Sequence, residues 1–524
     1  MHTSSKVWLF FCWIAVIALA GTLRFDQLSD RPFHFDEATG ARITSQRISA
    51  SNSGAGYSFN PVHNHGPLLS AAAEPICKIN GETSWQKMTK LSLRLVPAIA
   101  GTLLVMIPVF WRRRFGDTAM LVAAALLATS PLLVYYSRMF IHEMLLTLLG
   151  LAVVIVLFLR PKFSLTLKFA GIGGLVGLMF ATKETFAISI IAWTAAGIVL
   201  AISNIRSINQ HNTANNRKRL WRQYRDPAIA FLITAALSAG WYYTDGLSNL
   251  KGAWDAVRTF FVYKTTAGHD KPMLYYIGML AVPTKGGIWW HELPVLVLAL
   301  VALVRSYLPG KSHPNKHENI VRFVAYSAII HLLIYSLISY KTPWLMCLPW
   351  AHFCLLAGLS FRGFSHWKLP VKAAATILLL GVLFQQQRLS GFAIGRFAND
   401  SRNPYAYTPT SRDVESLRAW LQELSKELPP GALEPIGVVG SEYWPLPWYL
   451  RDFESIGYWP EPAPAINGCP LVIAMPEMAD AVTGQLKDTH TILPRTLRTN
   501  VPVMLYLRRD YWQQWITPDP SETP

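Results

Sequence analysis

Long apolar runs alternate with short charged segments over the first three quarters of the chain, and then the alternation stops. Residues 7–23 are nearly uncharged and long enough to cross most of a bilayer as a helix. Later runs occupy 91–111, 117–136, a stretch returning by Arg160, 167–182, a stretch returning by Ser203 and another ending at Tyr243. Four more follow at 288–307, 320–339, 344–361 and 369–385. About eleven such spans predict a polytopic α-helical membrane protein. Gly171, Gly173, Gly174 and Gly177 in one run predict close helix approach there. Two longer segments, 24–90 and 245–287, read as structured external loops. The first has helical patterns at 36–48 and 68–78. The second is aromatic, with Trp254, Phe260, Phe261, Tyr275 and Tyr276, as at a membrane interface. Its 273–282 stretch reads as re-entrant or as a further span. Past Arg388 the period changes, with an amphipathic helix at 413–428, strands at 436–439, 471–474 and 503–507, and a helix at 476–486. The chain thus divides into a transmembrane module, 1–387, and a small α/β domain, 388–524.

Composition supports this reading. Charged residues make up 15% of the chain, against about 25% in ordinary soluble domains. The net charge of +17 raises the question of nucleic acid, but the basic residues bunch between apolar runs. They fall at Arg112-Arg113-Arg114, at Arg160 with Lys162, at Arg217-Lys218-Arg219, and at Arg305 with Lys311. Such bunching is what the positive-inside rule produces. It places the N-terminus inside and the C-terminal domain outside an inner (cytoplasmic) membrane, with the bilayer and not nucleic acid as partner. Lys6 and Ala18-Leu19-Ala20 have features of a cleavable signal. The run continues through Leu23 and carries Trp8 and Trp13, which predicts an uncleaved first span. The five cysteines lack metal-type spacing and read as free thiols.

This topology gathers unusual polar groups on the outer side. Asp36-Glu37 follows the first span. Arg138 with His142 and Glu143, Lys183-Glu184, and Tyr340-Lys341 lie at other outer ends. Cations at span ends often only snorkel, but carboxylates and cations gathered above one bundle need partners or a task. Glycosyl transfer from a polyprenyl-phosphate sugar suits them. The acceptor hydroxyl needs a base, which a desolvated carboxylate supplies. The leaving lipid phosphate needs Arg or Lys contacts and not a general acid.

The chain resembles the GT-C glycosyltransferase superfamily in its acidic pair in the first external loop, its many spans and its outer C-terminal domain. Ala181-Thr182-Lys183-Glu184, Tyr340-Lys341-Thr342-Pro343-Trp344 and the stretch from Glu442-Tyr443-Trp444-Pro445 to Trp448-Tyr449-Leu450-Arg451-Asp452 resemble a prokaryotic family. That family is the dolichyl-phosphate-mannose–protein mannosyltransferase-like one, some of whose members are termed flippase-activity-associated. The resemblance implies Asp36 as base, Glu37 as its neighbour, and Glu143 in a second acidic role where relatives often carry Asp. It implies donor-phosphate contacts from Arg138, Lys183 and Lys341. His142, Glu184, Tyr340 and Trp344, in the same motifs, are substrate-binding candidates.

His269 and Lys271, in an external segment, could also touch substrate. Trp448, Glu442, Arg451 and Asp452 suit sugar or acceptor recognition, because aromatic faces stack on sugar rings; a rigid packing corner is the other reading of that motif. His63 and His65 could hold a divalent metal ion with Asp36 or Glu143, the one cofactor the pattern leaves open. No dinucleotide or nucleoside-triphosphate loop is evident. The expected activity is inverting transfer from a polyprenyl-phosphate sugar to a protein or lipid-linked (glycolipid) acceptor outside the membrane. The alternatives are a flippase or exporter of lipid-linked saccharide, and a non-catalytic membrane partner of a glycosylation complex.

Overall fold

The computed structural model describes residues 2–160, 164–205, 213–263, 268–281, 284–308 and 316–517. Lys162 and Lys311, counted above among the basic bunches, lie outside the described residues, as does Val282 at the end of the 273–282 stretch.

Among the described residues, seven helices are long and apolar enough to cross a membrane. Three shorter apolar helices, Asp117–Thr129, Glu143–Phe158 and Leu293–Arg305, complete the bundle with the long helix Thr213–Tyr243. This is a multi-pass membrane protein. At its centre lies Cys347–Leu359, every residue of which is buried.

The run expected at 117–136 is two helices, Asp117–Thr129 and Pro131–Tyr136. Pro131 has no N–H for the Leu127 carbonyl. Arg24, buried at the end of the first span, fills the gap by donating to Leu127 O and Ala128 O, both at 3.0 Å. A proline break thereby ties the first span to the third. Of the four glycines in Leu165–Thr182, Gly173 and Gly177 lie against Thr213–Tyr243, where an added Cβ would meet Phe231 O at 2.2 Å and Ser238 Oγ at 2.0 Å. Gly171 and Gly174 would meet nothing. The stretch left open at 273–282 forms a short helix, Tyr275–Ala281, within its described residues.

The last apolar helix, Leu369–Ile394, runs through the expected domain start at 388. Beyond it a five-stranded sheet has the order Ile456–Trp459, Ile436–Val439, Leu471–Ala474, Val501–Arg508, His490–Arg498. The first three are parallel and the last two antiparallel. Ile436–Val439 and Leu471–Ala474 are buried at every position, which is why they read as apolar runs. The edge strands Ile456–Trp459 and His490–Arg498 have no such run and are additions to the expected set. Helix Arg412–Glu427 turns Val414, Leu417, Leu421 and Leu424 inward.

Candidate active site

Leaving the first span, Arg31–Phe35 turns into the helix Phe35–Ser53. His34 caps it: its Nδ1 accepts from the Asp36 amide at 3.2 Å, while Glu37 Oε2 accepts from the His34 amide at 3.0 Å. This capping box sets both carboxylates in the first turn, at the positive end of the helix dipole.

Their surroundings separate them. Glu37 is fully buried. Arg94 Nε and Nη2 donate to it at 2.7 and 2.8 Å, the Phe140 amide at 2.9 Å, and Arg31 Nη2 stands at 3.5 Å. Burial alone would raise its pKa, but Arg94 and then Arg31 hold it down to about 2. Arg94 also donates to Leu28 O, Arg31 O and Pro32 O at 2.9–3.1 Å, so it clamps the whole turn. Asp36 is partly open, with 36% of its side chain accessible and its Oδ2 3.6 Å from His34 Nδ1. Burial raises it to about 7, with Lys183 opposing and Glu143 and Glu37 adding. Water entering through the opening limits that rise without reversing it.

Lys183 ends the helix Leu165–Thr182, and its Nζ donates to Glu143 Oε1 at 2.6 Å. Burial would lower its pKa, but Glu143 and Glu184 raise it well above the ordinary value, so the ammonium stays charged. Glu184 Oε2 lies 3.0 Å from His65 Nδ1, and His65 Nε2 lies 3.3 Å from the Tyr263 hydroxyl. Burial acts to raise Glu184, yet His65 and Lys183 bring it to about 2. Burial lowers His142, whose ring centroid is 5.2 Å from that of His65, well below the usual histidine value. Gly66 permits this approach, because a Cβ there would come 2.2 Å from Ala181 O.

On the other side of His34, its Nε2 lies 3.0 Å from Tyr407 O. The Tyr407 ring is 5.5 Å from both Trp344 and His269, and Lys271 Nζ stands 5.9 Å from its centroid. His269 packs 4.7 Å from Tyr340. Tyr340 and Tyr407 both feel the Asp36 charge. Asp36, Glu143, Lys183, Glu184, His65, His142, Tyr340, Trp344, His269 and Lys271 therefore surround one turn.

Other expected residues lie elsewhere. Arg138 donates to Leu23 O, Asp26 O and Gln27 O at 2.6–3.2 Å, capping the first span. Lys341 Nζ donates to Lys271 O at 3.1 Å and to Ile338 O. Both cations, expected at a phosphate, are engaged with backbone carbonyls. Glu442 is 76% exposed beside Arg498. Asp452 pairs with Arg418, and Arg451 lies over the buried Trp448 while donating to Trp448 O. The Trp-Pro-Leu-Pro-Trp-Tyr motif is a packing corner, and it sits on the carboxylate turn: Trp448 packs 4.3 Å from Phe33, and the Phe33 amide donates to Tyr449 Oη at 2.8 Å. His63 is exposed, and among the described residues no group of three His, Cys, Asp or Glu converges as metal ligands would.

Sequence reasoning missed Arg94, Tyr263 and Tyr407, and gave Tyr449 no part of its own within the aromatic motif. Arg94 left a signal, a charge inside an apolar run; Tyr263 and Tyr407 left none, since their partners are distant in sequence.

Residues 64–215 match the family described as dolichyl-phosphate-mannose-protein mannosyltransferase. Among solved structures, ArnT from Cupriavidus metallidurans bound to undecaprenyl phosphate is similar at 15% identity and a TM-score of 0.59, over 94% of this chain and 97% of that one. The oligosaccharyltransferase AglB from Archaeoglobus fulgidus, in complex with an inhibitory peptide and a dolichol-phosphate, is similar at 13% identity and a TM-score of 0.52, over 91% and 70%. No curated protein matches the sequence. The chain has the fold of the GT-C membrane glycosyltransferases, and its residues 64–215 match the mannosyltransferase family within them.

Proposed function

We propose that this protein transfers a sugar from a polyprenyl-phosphate donor to a hydroxyl of a protein or lipid-linked acceptor at the outer membrane surface. The observation that carries the reading is the separation of two adjacent carboxylates. Glu37 is saturated and permanently anionic, while Asp36 opens to solvent with a pKa of about 7, suited to accept a proton near neutrality. In the reaction, the acceptor oxygen bonds to the sugar C1 as its proton passes to Asp36. The C1–O bond to the phosphate breaks, and polyprenyl phosphate leaves with the electron pair. A single displacement inverts the anomeric centre.

Lys183, fixed by Glu143, supplies the positive charge nearest the leaving phosphate. The Tyr340–His269–Tyr407–Trp344 group offers ring faces to the sugar. Glu37 acts on Asp36 by position, through the turn that Arg94 clamps. The fold likeness to structures that hold undecaprenyl phosphate and dolichol-phosphate supports a lipid-phosphate donor.

The test is reconstitution of purified protein with a panel of polyprenyl-phosphate sugars and acceptors. Transfer by the wild type and none by Asp36→Asn is expected. Full turnover by that variant overturns the assignment, and movement of lipid-linked saccharide across the bilayer without transfer favours the flippase.

A further inference from the structure

The first span, Val7–Phe25, is poorly covered by the rest of the protein: only 17% of its apolar window is buried, against 61% for its neighbour Lys90–Phe115. At one end of the pair Arg94 clamps the carboxylate turn, and Arg24 donates to Leu127 O and Ala128 O. Arg112 lies 18 residues beyond Arg94, about 27 Å of helix rise away and so at the opposite leaflet. There the two helices border an open groove of about 590 Å³. Phe10, Trp13, Ile17 and Met106 give it apolar walls, and Arg112, Arg113 and Asp117 stand at its mouth. Among the described residues, none of these three charged side chains has an ion-pair or hydrogen-bond partner.

Apolar walls two to three turns deep, with two guanidiniums at the rim, complement acyl chains below a phosphate. Arginines at a span end need no such site, since they snorkel to any headgroup. Asp117 is the discriminating group. A carboxylate beside lipid phosphates is repelled unless it meets a cation, and an ethanolamine headgroup carries an ammonium a few atoms from its phosphate. We propose that this groove binds one phosphatidylethanolamine of the leaflet opposite the carboxylate turn, its phosphate on Arg112 and Arg113 and its ammonium on Asp117. The lipid completes the packing of the first span, whose other end leads into the turn before Asp36. The inference is independent of the transfer reaction.

The test is native mass spectrometry of the full chain after detergent exchange from vesicles of phosphatidylethanolamine, phosphatidylglycerol or phosphatidylcholine. Retention of one phosphatidylethanolamine is expected, with retention reduced about tenfold in R112A/R113A. Asp117→Asn should still retain phospholipid but lose the preference for ethanolamine over glycerol headgroups. Equal retention of all three lipids by the wild type, which means annular lipid only, overturns the proposal. So does a preference for phosphatidylglycerol, or undiminished retention by the double variant. If the double variant fails to fold, as judged by its elution and circular dichroism, the headgroup preference of Asp117→Asn decides.

Discussion

Replacing Glu37 with Gln and Asp36 with Asn tests the proposal that one carboxylate holds the site together and the other takes the acceptor's proton. Four close hydrogen bonds, from Arg94 twice and from the His34 and Phe140 amides, converge on the two oxygens of Glu37 at 2.7–3.0 Å. A carboxylate accepts all four; the single carbonyl oxygen of Gln accepts two. Two buried donors are then orphaned, at about 1–3 kcal/mol each, and the Arg94 guanidinium loses its counter-charge. Breaking a buried ion pair from one side costs roughly 3–5 kcal/mol, which agrees with the donor count. Asp36 differs: it is partly open, and with a pKa of about 7 its neutral form, which Asn imitates, is already well populated at neutral pH. Asp36→Asn should therefore leave the protein at least as stable at neutral pH, because ionisation of Asp36 favours the unfolded chain, where its pKa is lower. Equilibrium unfolding in detergent, run beside single-turnover transfer, should show crossed effects. Glu37→Gln should unfold more easily and keep partial activity while folded. Asp36→Asn should unfold no more easily than the wild type and transfer nothing. A Glu37→Gln protein as stable as the wild type but inactive would refute the reasoning and make Glu37 the base.

The log of kcat/KM against pH should rise through about 7 and level above it, with activity at one unit below falling to about a tenth of the plateau. The Asp36 contribution to stability has the opposite sign: its folded pKa exceeds the unfolded value, so this contribution declines from about pH 4 to about 7 and is flat above, a trend that should vanish from the unfolding profile in Asp36→Asn. Tyr449→Phe leaves the buried Phe33 amide without its acceptor. It should cost about 1–3 kcal/mol in unfolding and lower kcat more than donor KM. Arg138→Gln and Lys341→Gln remove carbonyl caps, so thermal melting should show lower midpoints while donor KM in the folded fraction stays within about twofold. Gly66→Ala forces a Cβ toward Ala181 O, and unfolding should register about 1–3 kcal/mol of overpacking with lower turnover as His65 shifts from Glu184.

What was legible in the sequence follows the range of the interactions. Spans are local, because the membrane imposes one length and one polarity on each run, and a charge-sparse stretch shows both. The central strands Ile436–Val439 and Leu471–Ala474 are visible for the same reason, being apolar on both faces. The exposed edge strands are not. Arg138 and Lys341 were expected at a phosphate, yet a cation cannot reveal from its neighbours whether it will meet a phosphate or the carbonyls at a helix end. The aromatic corner at Trp448 was recognisable as a motif, while its seat on Phe33, at the other end of the chain, was not.

Asp36 and Glu37 give the sharpest case. As adjacent acids in the first turn of one helix, they share a local environment, and no local rule distinguishes them. The groups that do are Arg94, 57 positions on, the Phe140 amide, 103 positions on, and the burial of Asp36 near the charges of Lys183 and Glu143. Those contacts carry Glu37 to about 2 and Asp36 to about 7. Sequence therefore indicates that an acid stands at this membrane surface, and the tertiary partners determine which acid is able to take a proton.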